Sequence, residues 1–531
     1  MAAADLVLAV DVGSTAARAG IFDRDGRLLG RATQPFAVHR PATDHAEHSS
    51  DEIWGAVCTA TRAALGEAGC DPARVAGLAF DATCSLVVLD AGHRPLTVSA
   101  TGEDRWNVVM WADHRATGEA AEMTRTGHPV LDHVGGVMSP EMELPKLLWL
   151  KRNMPATWAR MGLVLDLADF LLWRATGRIA VSACTVTCKW TYLAHATPGW
   201  QGDFLAMVGL DDLAARGLLP GRALPIGTAA GPISAAAAAE LGLTDRCAAG
   251  VGLIDAHAGG LGVLGGVPPA EFDRRIAMIA GTSTCHMAVS AAPRPVPGVW
   301  GPYFGAMVPG LWLNEGGQSA SGALLEHVLD LHAEGRHLGP GRHDRVAARI
   351  AEMLAADGPA MLGPLTVLPD FHGNRSPLAD PEARGAIFGL SLDASFDGLA
   401  RLYYATALGI ALGTRQIVDA LDRAGYAIDT LHLTGGHVAN PVLVRLYADA
   451  TGRRVVLPEQ EDGVLLGTAT VAAAAAGLHP SLAAAGLSMV RSGRTVDPDP
   501  AVRDFFDRRY ALFLDLQQQE GRLRRSLHQA V

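Results

Sequence analysis

Apolar and polar residues alternate along the chain in short blocks that read as strands and helices in mixed order. Apolar runs between residues 5 and 34 predict three strands. The second and third are joined by Asp23-Arg24-Asp25-Gly26, a turn with glycine where positive φ costs little. Ser49 and Glu52 have capping-box spacing, and Ile53, Val57, Ala60 and Ala64 follow at helical period, so a helix opens there. VAGLAFDAT and SLVVLD (75–90) predict a strand, a break and a strand. VVMWADHRA (108–116) reads as a strand running into a loop, and helices are expected around PKLLWLKRN and DLADFLLWRATG.

One pattern occurs twice. VLAVDVGSTAARAGIF (7–22) is an apolar run that ends in Asp11, turns through Gly13-Ser14-Thr15 and resumes. IAMIAGTSTCHMAV (276–289) turns through Gly281-Thr282-Ser283-Thr284 in the same way. Between them, AGVGLIDAHAGGLGVLGG (249–266) predicts a strand, a tight turn and a glycine-rich helix start. TLHLTGGHVAN predicts a strand, a Gly435-Gly436 turn and a helix. PPAEFDR (268–274) is polar and contains proline, which places a domain border there and divides the chain into 1–267 and 268–531. The stretch FFDRRYALFLDLQQQEGRLRRSL reads as a C-terminal helix. Packing on the core, or on a second subunit in a homodimer, explains it equally well.

Composition narrows the class. The 531 residues are 49% hydrophobic and 19% charged, which supports large buried cores and two to four domains. A formal net charge of −11 argues against a nucleic-acid-binding surface. The seven cysteines are scattered with no CxxC pair, which predicts a reducing, cytoplasmic setting. Cys184 and Cys188 have the spacing of metal ligands one helical turn apart, but without a second pair ordinary core thiols are the preferred reading. His39, His45 and His48, with Asp44 and Glu47, fit no zinc spacing. The first residues lack a basic signal-peptide start, and the longest apolar stretch is broken by Asp255, His257 and glycines, so no membrane association is expected.

Small residues in a turn let backbone N–H groups converge on an anion, and Ser and Thr hydroxyls add donors. Two such turns facing each other would grip successive phosphates of a nucleotide; a plain β-turn is the alternative for each. Asp11 beside phosphates makes sense if a Mg²⁺ ion intervenes, bound directly or through water. Gly435-Gly436 allows close approach to a base or phosphate. Asp255, at a turn before a helix, either accepts a hydrogen bond from a substrate hydroxyl or caps the helix.

The ordered set DVGST, GLIDAHAGG, AGTST and LTGGHVAN resembles the FGGY carbohydrate kinases of the actin/hexokinase-like superfamily. FDATCSLVVLD, WADHRA and NEGGQSASG resemble the pentulose kinase branch, and TCSLV (83–87) resembles kinases that prefer D-ribulose. One departure is Glu143 in MELPKLLWLKRN, where the family favours Pro, Ser or Thr; Lys146 and Trp149 are in place.

The resemblance implies an α/β fold with two actin-like, ribonuclease H-like domains flanking a cleft that closes over sugar and ATP. It implies phosphate binding at Gly13, Ser14, Thr15, Gly281, Thr282 and Ser283, and adenosine beside Gly435, Gly436 and Asn440. It makes Asp255 the catalytic base. It gives Lys189, Glu315 and the Thr83-Cys84-Ser85 backbone to the sugar. Asp113 and Arg115 form an ion pair or border the sugar, and HGNRSP (372–377) resembles a family loop but receives no role.

The expected activity is ATP-dependent phosphorylation of a ketopentose, with D-ribulose first. L-ribulose, D-xylulose, ribitol or a tetritol are alternatives. The rival from another class is an actin-like nucleotide-driven switch. A sugar-sensing transcription regulator would need an added pair of DNA-binding helices.

Overall fold

The structure, a computed structural model, describes residues 4–460 and 462–529. β1 (Leu6–Val12), β2 (Ala16–Asp23) and β3 (Leu28–Pro35) form an antiparallel meander. All of β1 is buried, which explains its unbroken apolar run. Beyond β1 the sheet continues in parallel through β4 (Val75–Ala82) and, past the short edge strand β5 (Ala229–Pro232) in sequence, β6 (Ala248–Ile254). The order is β3-β2-β1-β4-β6-β5. α1 (Ser50–Ala68) starts where the capping spacing puts it: Glu52 N–H donates to Ser49 Oγ at 3.3 Å. α2 (Ala183–Lys189) and α3 (Asp255–Leu264) complete the parts of this half that the site uses.

The second sheet repeats the plan. β7 (Arg275–Ala280), β8 (Thr284–Ser290), β9 (Trp300–Phe304) and β10 (Trp312–Gln318) pair antiparallel, and β11 (Thr430–Thr434) and β12 (Arg454–Pro458) add in parallel on the far side of β7. With the edge strand β13 (Ser492–Val496) the order is β9-β10-β8-β7-β11-β12-β13. α4 (Phe396–Arg423) and α5 (Pro441–Thr451) pack within the second core. This is the mixed α/β architecture the sequence predicts.

The two sheets share a register but not a chemistry. Asp11 on β1 lies opposite Arg18 on β2 and beside Asp81 on β4. The matching position on β7 is Ile279, opposite Cys285 and beside Thr434. The backbone device is duplicated, while the charges occur in one copy.

α6 (Gly463–Ala475) lies late in the sequence yet packs against α3, β1, β4 and β6 in the first core. It is apolar nearly all round because it is buried on nearly all sides. Its crossing with α3 is set by glycines. A Cβ on Gly262 would sit 1.7 Å from the Gly463 carbonyl oxygen, and one on Gly467 1.9 Å from that of Ala258. The glycine-rich run after Asp255 is therefore a helix-packing surface.

α7 (Arg503–Gln529) packs on α4 and α5 with Phe506 and Phe513 buried, so it belongs to the second core; Leu523 and Leu527 toward its end are exposed.

In 108–116 the strand that runs into a loop is Val108–Val109, and it joins Glu47–His48, Leu86–Asp90 and Met161–Asp166 in a separate small sheet. The chain leaves the sheet there because Arg115 Nη2 donates to Glu47 Oε1 at 2.7 Å and to Asp113 Oδ2 at 2.6 Å, all three groups being buried. Asp113 and Arg115 are thus an internal ion-pair hub that lies off the cleft. Among the described residues, no helix is long and apolar enough to cross a membrane.

Candidate active site

A cavity of about 620 Å³ opens where the two β-turns face each other, and Gly13 and Gly281-Thr282-Ser283 line it from opposite sheets. A second cavity of about 1280 Å³ continues past Gly281 and Gly436 to Asn440. Between β11 and the following helical turn, Gly435 has φ +90° and meets the end of β7 so closely that a Cβ would lie 2.5 Å from Ala280 O. No residue with a side chain fits this approach.

The floor of the first cavity is acidic. Asp11 is ion-paired to Arg18, whose Nη1 also lies 3.3 Å from Asp462 Oδ2. Asp81 accepts a hydrogen bond from Thr468 on α6, and its Oδ1 is buried with no donor. Burial, reinforced by the Asp11 charge, pushes Asp81 well above the usual carboxylate range. Burial also raises Asp11, against the pull of Arg18. These oxygen donors suit a hard, oxygen-seeking cation such as magnesium, which is held by one or two carboxylates with water and phosphate.

Asp255 is the first residue of α3, and the cap position belongs to Ile254. Its Oδ1 accepts from the adjacent Ala256 N–H at 2.7 Å, and its side chain lines the cavity. The helix-capping alternative is not what the geometry shows. Burial, then the Asp11 charge, raises its pKa to about 6.

Opposite the acids lies a cationic and aromatic wall. Lys189 is only 3% exposed, so it is no solvated surface lysine. Its Nζ stands 4.8 Å from the centre of the Trp300 ring, and Arg375 Cζ stands 4.0 Å from the same ring. Arg375 Nη2 donates to Glu315 Oε1 at 2.8 Å. Glu315 sits on β10 rather than at a helix start. Burial opposes its ionisation, but the hydrogen bond from His257 and the charges of Arg375 and Lys189 hold it at about 2.

Of the residues singled out in the sequence, Asp11, Gly13, Thr83, Cys84, Lys189, Asp255, Glu315 and the residues 281–283, 435 and 436 line this cavity. Ser14, Thr15, Ser85 and Asn440 do not. Ser14 Oγ accepts from Trp111 Nε1–H at 2.9 Å and Ser85 Oγ from the Trp111 backbone N–H at 3.2 Å, so the two hold the ring and the backbone of a residue that does line it. Thr15 is exposed. Asn440 lies in the second cavity, where it caps α5 and donates to Tyr403 Oη at 2.9 Å.

Arg18, Glu141, Arg375 and Asp462 also line the site, and Asp81 is buried beside Asp11 behind it; none of these was read from the sequence. Arg18 had a usable signal, its place seven residues after Asp11 within the repeated device. Asp81 had one in its place at the end of an apolar strand. Arg375 had only the likeness of HGNRSP to a family loop, and the fold alone brings that loop to β10.

The remaining sequence candidates are structural. Glu143 is buried in an ion pair with Lys146 Nζ at 3.2 Å, with burial raising its pKa to about 7. His39 stacks on Trp106, and His48 Nε2 lies 3.0 Å from Ser14 O, which it donates to, bracing the first turn. Cys184 and Cys188 are buried and unbridged, and their third neighbour is His257, from a segment no local spacing connects to them.

Residues 6–262 match the N-terminal domain, and residues 276–476 the C-terminal domain, of the FGGY family of carbohydrate kinases. An FGGY carbohydrate kinase domain-containing protein of Danio rerio is 47% identical, over 96% of this chain and 97% of its own length. A D-ribulokinase of Saccharomyces cerevisiae is 37% identical, over 89% of this chain and 72% of its own. Among solved structures, a xylulose kinase from Rhodospirillum rubrum superposes with a TM-score of 0.81 at 24% identity, covering 98% of this chain and 100% of its own.

Proposed function

This chain belongs to the FGGY family of carbohydrate kinases, and from that premise we propose that its acceptor is a ketopentose, D-ribulose first, converted to D-ribulose 5-phosphate by ATP. The reaction class is phosphoryl transfer to a sugar alcohol group. The single observation that supports the finer reading is the likeness to a D-ribulokinase along most of the chain. The geometry is compatible with it: Thr83 and Cys84 of the TCSLV run line the same cavity as Lys189, Asp255 and Glu315.

In this reading the primary hydroxyl of the sugar lies against Asp255. With a pKa of about 6 the carboxylate is ionised at neutral pH and is a better proton acceptor than an ordinary aspartate. It orients the hydroxyl and takes its proton as the bond to phosphorus forms, which a loose phosphoryl-transfer transition state tolerates. Glu315 accepts from sugar hydroxyls, and Lys189 donates to a sugar oxygen. The turns at Gly13 and at 281–283 cradle the phosphates with backbone N–H groups, and Arg18 offsets their charge. A magnesium ion held by Asp11 and Asp81 would neutralise charge on the transferring phosphates. The two cores, the first completed by residues 463–475 from beyond the sequence border near 267, close over the substrates and exclude water as a competing acceptor. Seven free cysteines support a reducing, cytoplasmic setting.

The test is ADP release in a coupled assay against D-ribulose, L-ribulose, D-xylulose, ribitol, erythritol, glycerol and no sugar, with Asp255→Ala alongside. Turnover that requires D-ribulose and collapses in the variant is expected. Preference for another sugar overturns the substrate, and turnover indifferent to all sugars overturns the reading.

A further inference from the structure

His257 follows Asp255 by two residues, on the same first turn of α3, but it turns away from the cavity and is fully buried. Each of its ring nitrogens faces an acceptor. Nε2 lies 3.4 Å from Glu315 Oε2. Nδ1 lies 3.2 Å from the Ala306 carbonyl oxygen and 2.9 Å from Cys184 Sγ. A neutral imidazole has one N–H and satisfies only one side; an imidazolium satisfies both.

Cys184 Sγ is the complementary group. It accepts the Ile254 N–H at 3.4 Å, and the Cys188 thiol, one helical turn on, lies within 4.8 Å of it and of the ring. Backbone N–H, ring N–H and thiol thus converge as donors on one buried sulfur, and it is this convergence that stabilises a thiolate. Burial disfavours both charges, but the Cys188 and His257 hydrogen bonds pull Cys184 down, and Cys184 and Glu315 push His257 up.

We propose that His257 is a positioning residue: as an imidazolium anchored by the Cys184 thiolate and the Ala306 carbonyl, it fixes Glu315 in the orientation that receives the sugar. The proposal rests on the reading of Glu315 as a sugar ligand. Glu315 is then gripped from both sides, by Arg375 on Oε1 and His257 on Oε2, which leaves its remaining lone pairs directed by two fixed cations. Cys184 acts at one remove. It keeps the ring charged and in place in a region where an unpaired imidazolium would lose its proton.

The experiment uses the full-length enzyme with the sugar that the panel assay identifies. His257→Leu removes the donor, while His257→Gln keeps an amide N–H that reaches toward Glu315. Cys184→Ser keeps the size and removes the thiolate, and Glu315→Gln is the control for the underlying reading.

For His257→Leu, loss of a charge-assisted hydrogen bond to the binding carboxylate predicts a rise of about tenfold or more in KM for the sugar, with KM for ATP unchanged. His257→Gln is expected to recover most of that rise. Wild-type protein is expected to show the ultraviolet absorbance of a thiolate at neutral pH, and Cys184→Ser to lack it. The proposal is overturned if the Leu and Gln variants lose thermal stability and all kinetic constants together, which is a packing role. It is equally overturned if the native protein shows no thiolate. Should Glu315→Gln raise the sugar KM while His257→Leu leaves it alone, only this inference falls. Should Glu315→Gln leave it alone, the sugar-site reading falls and takes the inference with it.

Discussion

Asp11 and Asp81 stand side by side on neighbouring parallel strands, in register, with both carboxyl groups buried. Arg18 neutralises the first, and the second is pushed well above its ordinary pKa. A carboxyl whose folded pKa exceeds its unfolded value loses stability as pH rises from about 4 through the folded pKa. Asp81→Asn, which resembles the protonated acid, is therefore expected to remove part of that decline in a thermal-denaturation series across pH. If magnesium is held here, the same variant also demands more magnesium for half-maximal activity.

Asp255 carries a second pH signature. Its pKa of about 6 predicts that kcat/KM falls as pH drops through that value, because the protonated acid cannot accept the hydroxyl proton. Asp255→Asn removes the proposed base and, with it, a half-buried charge crowded by Asp11. Its kcat is expected to fall about 10³-fold. Its folded state is expected to gain about 1–2 kcal/mol at neutral pH. Loss of both activity and stability would contradict the second half.

The Trp300 ring is flanked by two cations that face the same cavity, Lys189 and Arg375. Lys189→Met is expected to raise KM for the sugar about tenfold or more while leaving that for ATP unchanged. Arg375→Met does the same by releasing Glu315. Initial-rate kinetics with each substrate varied separately reads this out; equal effects on both substrates would place the pair elsewhere in the cycle.

Glycines in this chain divide into those that pack and those that stay open. Gly262→Ala forces a Cβ into the Gly463 carbonyl and is expected to cost about 2–3 kcal/mol, seen as a lower denaturant midpoint. Gly281→Ala meets no atom within 4 Å, so it is expected to fold normally and, on the proposed reading, to raise KM for ATP by crowding the phosphate turn.

Much of this site is legible in the sequence because the residues that build it sit at the ends of apolar strands. A strand buried on both faces is a continuous apolar run, and Asp11, Gly13, Asp255 and Gly435 each mark the point where such a run breaks. What stays hidden is whatever reaches the site through tertiary contact. Arg375 arrives from a loop, and Asp462 lies just before α6, which packs on the other core. His257 completes the Cys184–Cys188 group from 73 residues away from Cys184. Spacing shows only neighbours along a helix or strand, so a third member from another segment has no local trace. Ser14 and Ser85 show the opposite limit: both sit in the right turns, yet they hold Trp111 rather than line the cavity.

α6 also has a bearing on how the molecule is made. The first sheet and α3 are complete by residue 264, yet the surface they offer to α6 stays bare until residues 463–475 have left the ribosome. Through most of synthesis the nascent first half therefore displays an apolar groove with unfilled glycine notches, a surface chaperones recognise. A stop codon anywhere before residue 463 would leave not a chain with an intact first half, but one in which neither half is finished.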